Sequence, residues 1–300
     1  MKNIKSVLFV LIAGSLWGCM GLLVRPLNNG IGLESMDIVA LRAFETAILS
    51  FVGMPVLSKI NHSKAKEDLK IKIKDIWIFI GTGIVSVVFF NFCYFSTIIY
   101  TSLSVAAIML YTAPIFVMLF SSVIFKDKMT AEKVVALCLA FLGCAVVTGA
   151  ITGNMVVNTK GILFGLGAGI GYALYSIFGK FATDRGYGSQ TVTLYTFLFA
   201  SIGVLPFISI RKIAGAFAGK PQMVLYAVIL IIITTFLPYI VYTAGLSKLE
   251  PGKAAIVACI EPVMATFVGL IFYKETIDLL TYIGVFLVIG AIILVNISQK

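Results

Sequence analysis

Acidic residues are scarce in this 300-residue chain: 13 Asp and Glu stand against 23 Lys and Arg, for a formal charge of +10. Charge of either sign is thin, since 12% of residues are charged and 60% hydrophobic, with a mean hydropathy of +1.06. A soluble domain of this size has no use for so much apolar surface. Histidine is nearly absent: His62 is alone, in a charged stretch, which excludes a histidine metal site or catalytic pair. Cys19, Cys93, Cys138, Cys144 and Cys259 all fall inside apolar segments and form no Cys-x-x-Cys pair. That argues against a zinc site or a disulfide framework, with packing their simplest use. There is no nucleotide loop either, because Gly165-x-Gly167-x-Gly169 lies within an apolar run with no strand before it. No nucleophile–base set stands out, so the sequence calls for no cofactor, no metal and no enzymatic activity.

Long apolar runs fill the space. Segments 6–24, 76–125, 134–159, 161–179, 186–210, 221–247 and 279–299 carry no charge, and 36–58 and 254–273 carry isolated ones. About 20 such residues span a bilayer core. The pattern predicts ten helices, at 4–25, 36–58, 75–98, 103–125, 131–150, 160–182, 189–210, 222–246, 253–272 and 278–297. The first run is too long for a signal-peptide core, and no convincing small-x-small cleavage site follows it. With both termini in the cytoplasm, 16 of the 23 basic residues lie inside and 6 outside, with Arg42 in a span. This excess places the termini inside and assigns the positive charge to a membrane rather than to nucleic acid. The loop bearing Arg211, Lys212 and Lys220 is basic on the wrong side. Segment 59–74 reads as a solvated cytoplasmic linker whose lysines suit anionic headgroups, and its Asn61-His62-Ser63 as a chance glycosylation match.

The second half repeats the first. Tyr94 falls on Tyr242, Ala106-Ala107 on Ala254-Ala255, Pro114 on Pro262, and Phe125-Lys126-Asp127 on Tyr273-Lys274-Glu275, all without a gap. Upstream, Ala13-Gly14-Ser15-Leu16-Trp17-Gly18 falls on Ala168-Gly169-Ile170-Gly171-Tyr172-Ala173. The division is 1–150 and 151–300, five helices each. Two copies of an odd-numbered unit must run in opposite senses through the bilayer, the arrangement of alternating-access transporters.

These residues resemble the drug/metabolite transporter superfamily, specifically its ten-helix family built from two EamA domains. The carriers of the likeness are Gly14-x-x-Trp17-Gly18, the Ala-Ala and proline signatures of helices four and nine, and Asp127 or Glu275 followed by a last helix with Gly143 or Gly290. Lys126-Asp127 and Lys274-Glu275 stand where Gly-Glu is more usual. The resemblance implies an all-α membrane protein of two inverted five-helix repeats around a central cavity. Helices 1, 3, 4, 6, 8 and 9 would line it, and helices 5 and 10 would be peripheral. It also implies a secondary transporter of small organic metabolites in the plasma membrane, amino acids among them, often coupled to protons.

Charges at mid-membrane cost at least about 2.5–3.5 kcal/mol on insertion scales and ask for a reason. Glu261 directly precedes Pro262, which withdraws a backbone hydrogen bond and can open the helix. It can bind a cationic group or a proton, or pair with a basic neighbour to fix packing. The first repeat has Ala113 there. Arg42 and Glu45 are spaced to pair on one helix face, and Arg42 alternatively suits a substrate carboxylate. Asn91 lines a cavity or bonds across helices. Trp17, Tyr94, Tyr111, Tyr172, Tyr239 and Tyr242 offer apolar faces with polar edges, for a substrate or for packing. Gly14 with Gly18, Gly161 with Gly165 and Gly169, and Gly167 with Gly171 have the spacing of close helix contacts. The leading expectation is a small-molecule exporter, for amino acids or amino-acid-like compounds, with protons a candidate driving ion. The alternatives are efflux of hydrophobic cations and, from another class, a lipid-handling or scaffold protein.

Overall fold

The computed structural model describes residues 4–60, 69–149 and 158–297, with 54–60 in backbone only. The basic stretch with His62 lies for the most part outside the described residues. Ten long helices and no strands occur among the described residues: α1 Ile4–Ile31, α2 Ser35–Ile60, α3 Ile73–Tyr100, α4 Leu103–Ile124, α5 Ala131–Val147, α6 Thr159–Asp184, α7 Ser189–Phe207, α8 Pro221–Leu246, α9 Pro251–Tyr273 and α10 Leu279–Ile297. On length and composition, eight of them are long and apolar enough to cross a membrane among the described residues; α5 has 17 residues, and the described part of α2 carries Asp37, Arg42 and Glu45. Leu8, Phe51, Val123, Leu163, Leu279 and Phe286 are exposed, as the flank of a bundle in lipid requires.

The two repeats are inverted. The start of α1 packs on the end of α8, with Gly245 against the Ser6 carbonyl, whereas the start of α6 packs on the end of α3, with Gly161 against Thr101. The end of α1 meets the start of α8, where Tyr226 Oη donates to the Leu22 carbonyl at 2.6 Å. One face of the molecule therefore holds Ile4 of α1 and Ile297 of α10; the other holds the α1–α2 and α3–α4 turns. These are called the inner and outer faces below.

Helix irregularities recur at a fixed shift. A π-helical stretch occupies Gly81–Val88 in α3 and Ile232–Phe236 in α8; residues 84–88 moved by 148 become 232–236. Helix α4 breaks at Tyr111-Thr112 and α9 at Cys259, which is 111 moved by 148. Both helices end in a left-handed lysine, Lys126 at φ 60° and Lys274 at φ 54°. The amide after each lysine reaches back six residues: Asp127 to the Ser121 carbonyl at 3.4 Å, and Glu275 to the Gly269 carbonyl at 3.1 Å. That bond closes a left-handed helix cap, for which glycine is the unstrained residue. Lysine at these two places is thus a local departure with a small conformational cost.

Close approach explains the small residues. Opposite Pro262, which cannot return a hydrogen bond to Ala258, a Cβ on Gly14 would lie 3.0 Å from the Ala258 carbonyl oxygen; one on Gly18 would lie 2.6 Å from the Glu261 carbonyl oxygen. Helices α5 and α10 cross through Gly143 and Gly284, each of which would place a Cβ 2.9 Å from the carbonyl of the other. Gly290, paired with Gly143 on sequence alone, borders open space.

Two sequence expectations are corrected here. Segment 208–220 is not merely a loop. It contains a short helix, Ile210–Phe217, whose Ile213, Ala216 and Phe217 pack on Leu23, Leu27, Ile38 and Ile231. Its basic character on the outer face has a local answer: Lys212 Nζ is 2.7 Å from Glu34 Oε1 and 2.9 Å from Asp37 Oδ2. Those carboxylates pull the ammonium above its ordinary pKa. The suggested Arg42–Glu45 pair does not form. Arg42 Nε donates to Thr235 Oγ1 of α8 at 2.9 Å, and Glu45 Oε1 has no hydrogen-bond partner.

Candidate functional site

A cavity of about 430 Å³ opens between α1, α2, α3, α4, α6, α8 and α9, within the range of small-molecule sites. Its rim on the outer face carries Arg25, Asn28, Asn29 and Ser35, its walls Arg42, Asn91, Tyr94, Phe95 and Ile98, and its floor Trp17, Phe90, Tyr172, Tyr239 and Glu261. Helices α5 and α10 contribute nothing, and α2 lines the cavity alongside the helices that the resemblance implied.

Helix breaks position the floor. Glu261 is the second residue after the interruption at Cys259, and Tyr172 Oη lies 3.3 Å from its Oε2. Pro262 keeps the α9 backbone from closing over this turn. Asn91 is buried and returns Nδ2 to the Val87 carbonyl at 2.7 Å, just after the π stretch of α3. Arg42 lies on the α2 wall, held by Thr235 within the π stretch of α8. Arg42 forms no ion pair within 4.0 Å with Glu261, although both face the same space.

Below the floor the chain is shut by aromatic side chains. The Trp17 ring is 5.4 Å from Tyr239 and 5.2 Å from Tyr242, and Tyr239 stands edge-on to Tyr175 at 4.9 Å and to Phe197 at 4.7 Å. Two of the hydroxyls are hydrogen-bonded within the plug: Tyr175 with Thr243 and Tyr242 with Ser176, each at 2.8 Å. Closer to the inner face, Lys133 of α5 makes an ion pair with Glu250, just before α9. Asp127 lies in the same small polar recess. Burial, with Glu250 adding, holds its carboxyl above the usual range against the pull of Lys133, Ser121 and Lys180.

Seven of the residues singled out from sequence converge on the cavity: Trp17, Arg42, Asn91, Tyr94, Tyr172, Tyr239 and Glu261. Tyr111 and Tyr242 do not reach it. Tyr111 lines a separate gap of about 20 Å³ with Pro114, Tyr172 and Glu261. Tyr242 belongs to the aromatic plug. The outer rim lies beyond the end at 25 that the sequence predicts for α1, since the helix runs through Pro26 to Ile31. The repeat carried a signal for it, since Arg25 falls on Lys180 at the shift that aligns Trp17 with Tyr172. Among the described residues no group of acidic, histidine and cysteine side chains could hold a metal ion.

Comparison with known proteins agrees with this architecture. The chain is 29% identical over 277 residues to an uncharacterized transporter of Archaeoglobus fulgidus, covering 92% of this chain and 94% of that one. It is 21% identical over 299 residues to the uncharacterized inner membrane transporter YicL of Salmonella typhimurium, covering 99% and 96%. A solved crystal structure covers 98% of the chain and 96% of its own length with a TM-score of 0.78 at 16% identity, which shows the fold alone. The profile of the EamA-like transporter family matches residues 4–149 and again 159–297, and the chain belongs to that family of multi-pass membrane transporters.

Proposed function

We propose that this transporter exports amino acids or amino-acid-like zwitterions by alternating access, and that both chain termini lie in the cytoplasm, so that the cavity described here opens outward. One observation carries the substrate class: Arg42 and Glu261 present opposite charges to one cavity of about 430 Å³ without pairing with each other. A buried unpaired charge is costly, and a ligand bearing a carboxylate and an ammonium would neutralise both. The guanidinium suits the carboxylate through bidentate contact. Glu261 suits the ammonium, with Trp17, Tyr172 and Tyr239 flanking it as apolar and cation–π surface. Without a substrate, a proton on Glu261 would neutralise the acid, which makes this residue the candidate link to a proton gradient.

A hydrophobic cation is the second reading, favoured by the aromatic floor beside Glu261. Arg42 in the same cavity opposes it, since a like charge in a confined space repels such a ligand.

The test is efflux from proteoliposomes loaded with a mixed amino-acid panel, with and without an inward proton gradient. Gradient-accelerated loss of one class is the expected result, with Glu261→Gln and Arg42→Ala each lowering it at least about tenfold, the effect of roughly 1.4 kcal/mol. Unchanged efflux in both variants would remove the site assignment. Efflux of quaternary ammonium compounds that survives Arg42→Ala would favour the cation reading.

A further inference from the structure

The repeat relates two charge pairs that stand in opposite states. A shift of 155 carries Arg25 of α1 onto Lys180 of α6, and a shift of 148 carries Asp127, after α4, onto Glu275, after α9. Arg25 with Glu275 at the outer end is therefore the equivalent of Lys180 with Asp127 at the inner end. The outer pair is made: Arg25 Nη1 lies 2.8 Å from Glu275 Oε1, with the guanidinium 4.1 Å over the Tyr273 ring. The inner pair is not. Lys180 Nζ is turned to Asp184 of its own helix at 2.9 Å, and Asp127 Oδ2 is buried without a hydrogen-bond partner.

The ion pair at the inner end, Lys133 with Glu250, has no outer equivalent. Lys133 and Glu250 map onto Thr281 and Ser102, which serve their own helix starts: Thr281 Oγ1 donates to Asp278 Oδ1 at 2.6 Å, and Ser102 Oγ accepts from the Val105 amide at 3.2 Å. In inverted-repeat transporters the two copies rock about a fixed site. Exchange of their conformations would give each charge pair the state its equivalent now has.

We propose that Arg25–Glu275 and Lys180–Asp127 are the two halves of one ion-pair switch, the first made when the cavity opens to the outer face and the second made in its place when it opens to the inner face. This rests on the alternating-access reading above. The unpartnered Asp127 oxygen is the vacant half of the switch, and Asp184 holds Lys180 in reserve. Asp127 is also faced by Lys133 and Glu250, so release of the Lys133–Glu250 pair and capture of Lys180 are coupled through one carboxylate.

The experiment is pulsed electron resonance on the full chain in proteoliposomes, its native cysteines replaced and spin labels attached at Asn29→Cys and Leu103→Cys, on opposite sides of the outer mouth. Two distances are expected, long for the open mouth and short for the closed one. Glu275→Gln should raise the short-to-long ratio roughly two- to fivefold, the range of an exposed ion pair. Asp127→Asn should lower it by a similar factor. Arg25→Glu combined with Glu275→Arg, which rebuilds the pair in reverse, should return the ratio towards its starting value. Two populations that neither variant moves, or that both move the same way, would overturn the switch while leaving alternating access in place. One fixed distance in every protein would overturn both.

Discussion

The first and second repeats share their backbone and divide their chemistry. Both have a π stretch in the third helix, a break before the proline of the fourth, and a left-handed lysine at its end. At the break the second repeat carries Glu261, where the first has the buried Ala113. At the close crossing of the first helix on the opposite repeat's fourth, the first copy has Gly18 and the second has Ala173. Shared irregularities put a helix interruption midway along the fourth helix of each half, and unequal side chains make the cavity polar on one wall. In the proposed alternating-access cycle, symmetry would supply the scaffold for two equivalent conformations, and asymmetry the site and a preference between them.

The sharpest way to break the comparison is at the crossing. Gly18→Val should prevent assembly or lower stability by about 1–3 kcal/mol, because the added carbons would meet the Glu261 carbonyl and Met264. Ala173→Gly, at the equivalent place, should cost only about 1 kcal/mol through helix propensity. Thermal unfolding in detergent would rank the two, and equal effects would mean that α1 and α6 approach their partners alike.

A smaller effect is expected at the inner lock. The Lys133 side chain is 9% exposed and that of Glu250 37%, so Glu250 can rehydrate when its partner goes. Lys133→Ala and Glu250→Ala should show a coupling of roughly 1 kcal/mol or less in a double-mutant cycle. Thr281→Ala with Ser102→Ala should show none, since those side chains serve separate helix caps. A coupling at the second pair as large as at the first would erase the asymmetry between the ends.

The smallest effect tests what is alike. Lys126→Gly and Lys274→Gly should each raise stability by about 0.5–1 kcal/mol, as glycine adopts the left-handed cap without strain. Loss of stability at either site would mean that the lysine side chain contributes more there than its backbone costs.

The spans were legible because uncharged runs of bilayer length have few other uses, and inversion followed from an odd count of helices per copy. Glu261 was legible for the same energetic reason. The fate of Arg42 was not: residues three apart on a helix differ by only about 60° around its axis, and Thr235, 193 positions away, decides which way Arg42 turns. Tyr111 and Tyr242 look like Tyr172 and Tyr239 in sequence, and only the packing of four helices separates a cavity wall from a plug. The helix Ile210–Phe217 is short and punctuated by charge, too brief for a periodic signal, and the acids that answer Lys212, Glu34 and Asp37, lie at the distant start of α2.

The π stretch of α3 also acts as a phase shift. An α-helix turns about 100° per residue, and a π segment fits more residues into a turn, so the stripes on either side of it fall out of step. Before and within that stretch α3 faces its neighbours: Ile78 and Phe79 are fully buried, Thr82 accepts from Thr196 at 2.7 Å and Ser86 donates to the Gly171 carbonyl at 2.7 Å. After it, Asn91, Tyr94 and Ile98 face the cavity. One continuous rod is thus keyed into the protein over its inner half and into the cavity wall over its outer half. Straightening it by one residue would swing those three side chains off the wall by about 100° while every other helix stayed where it is.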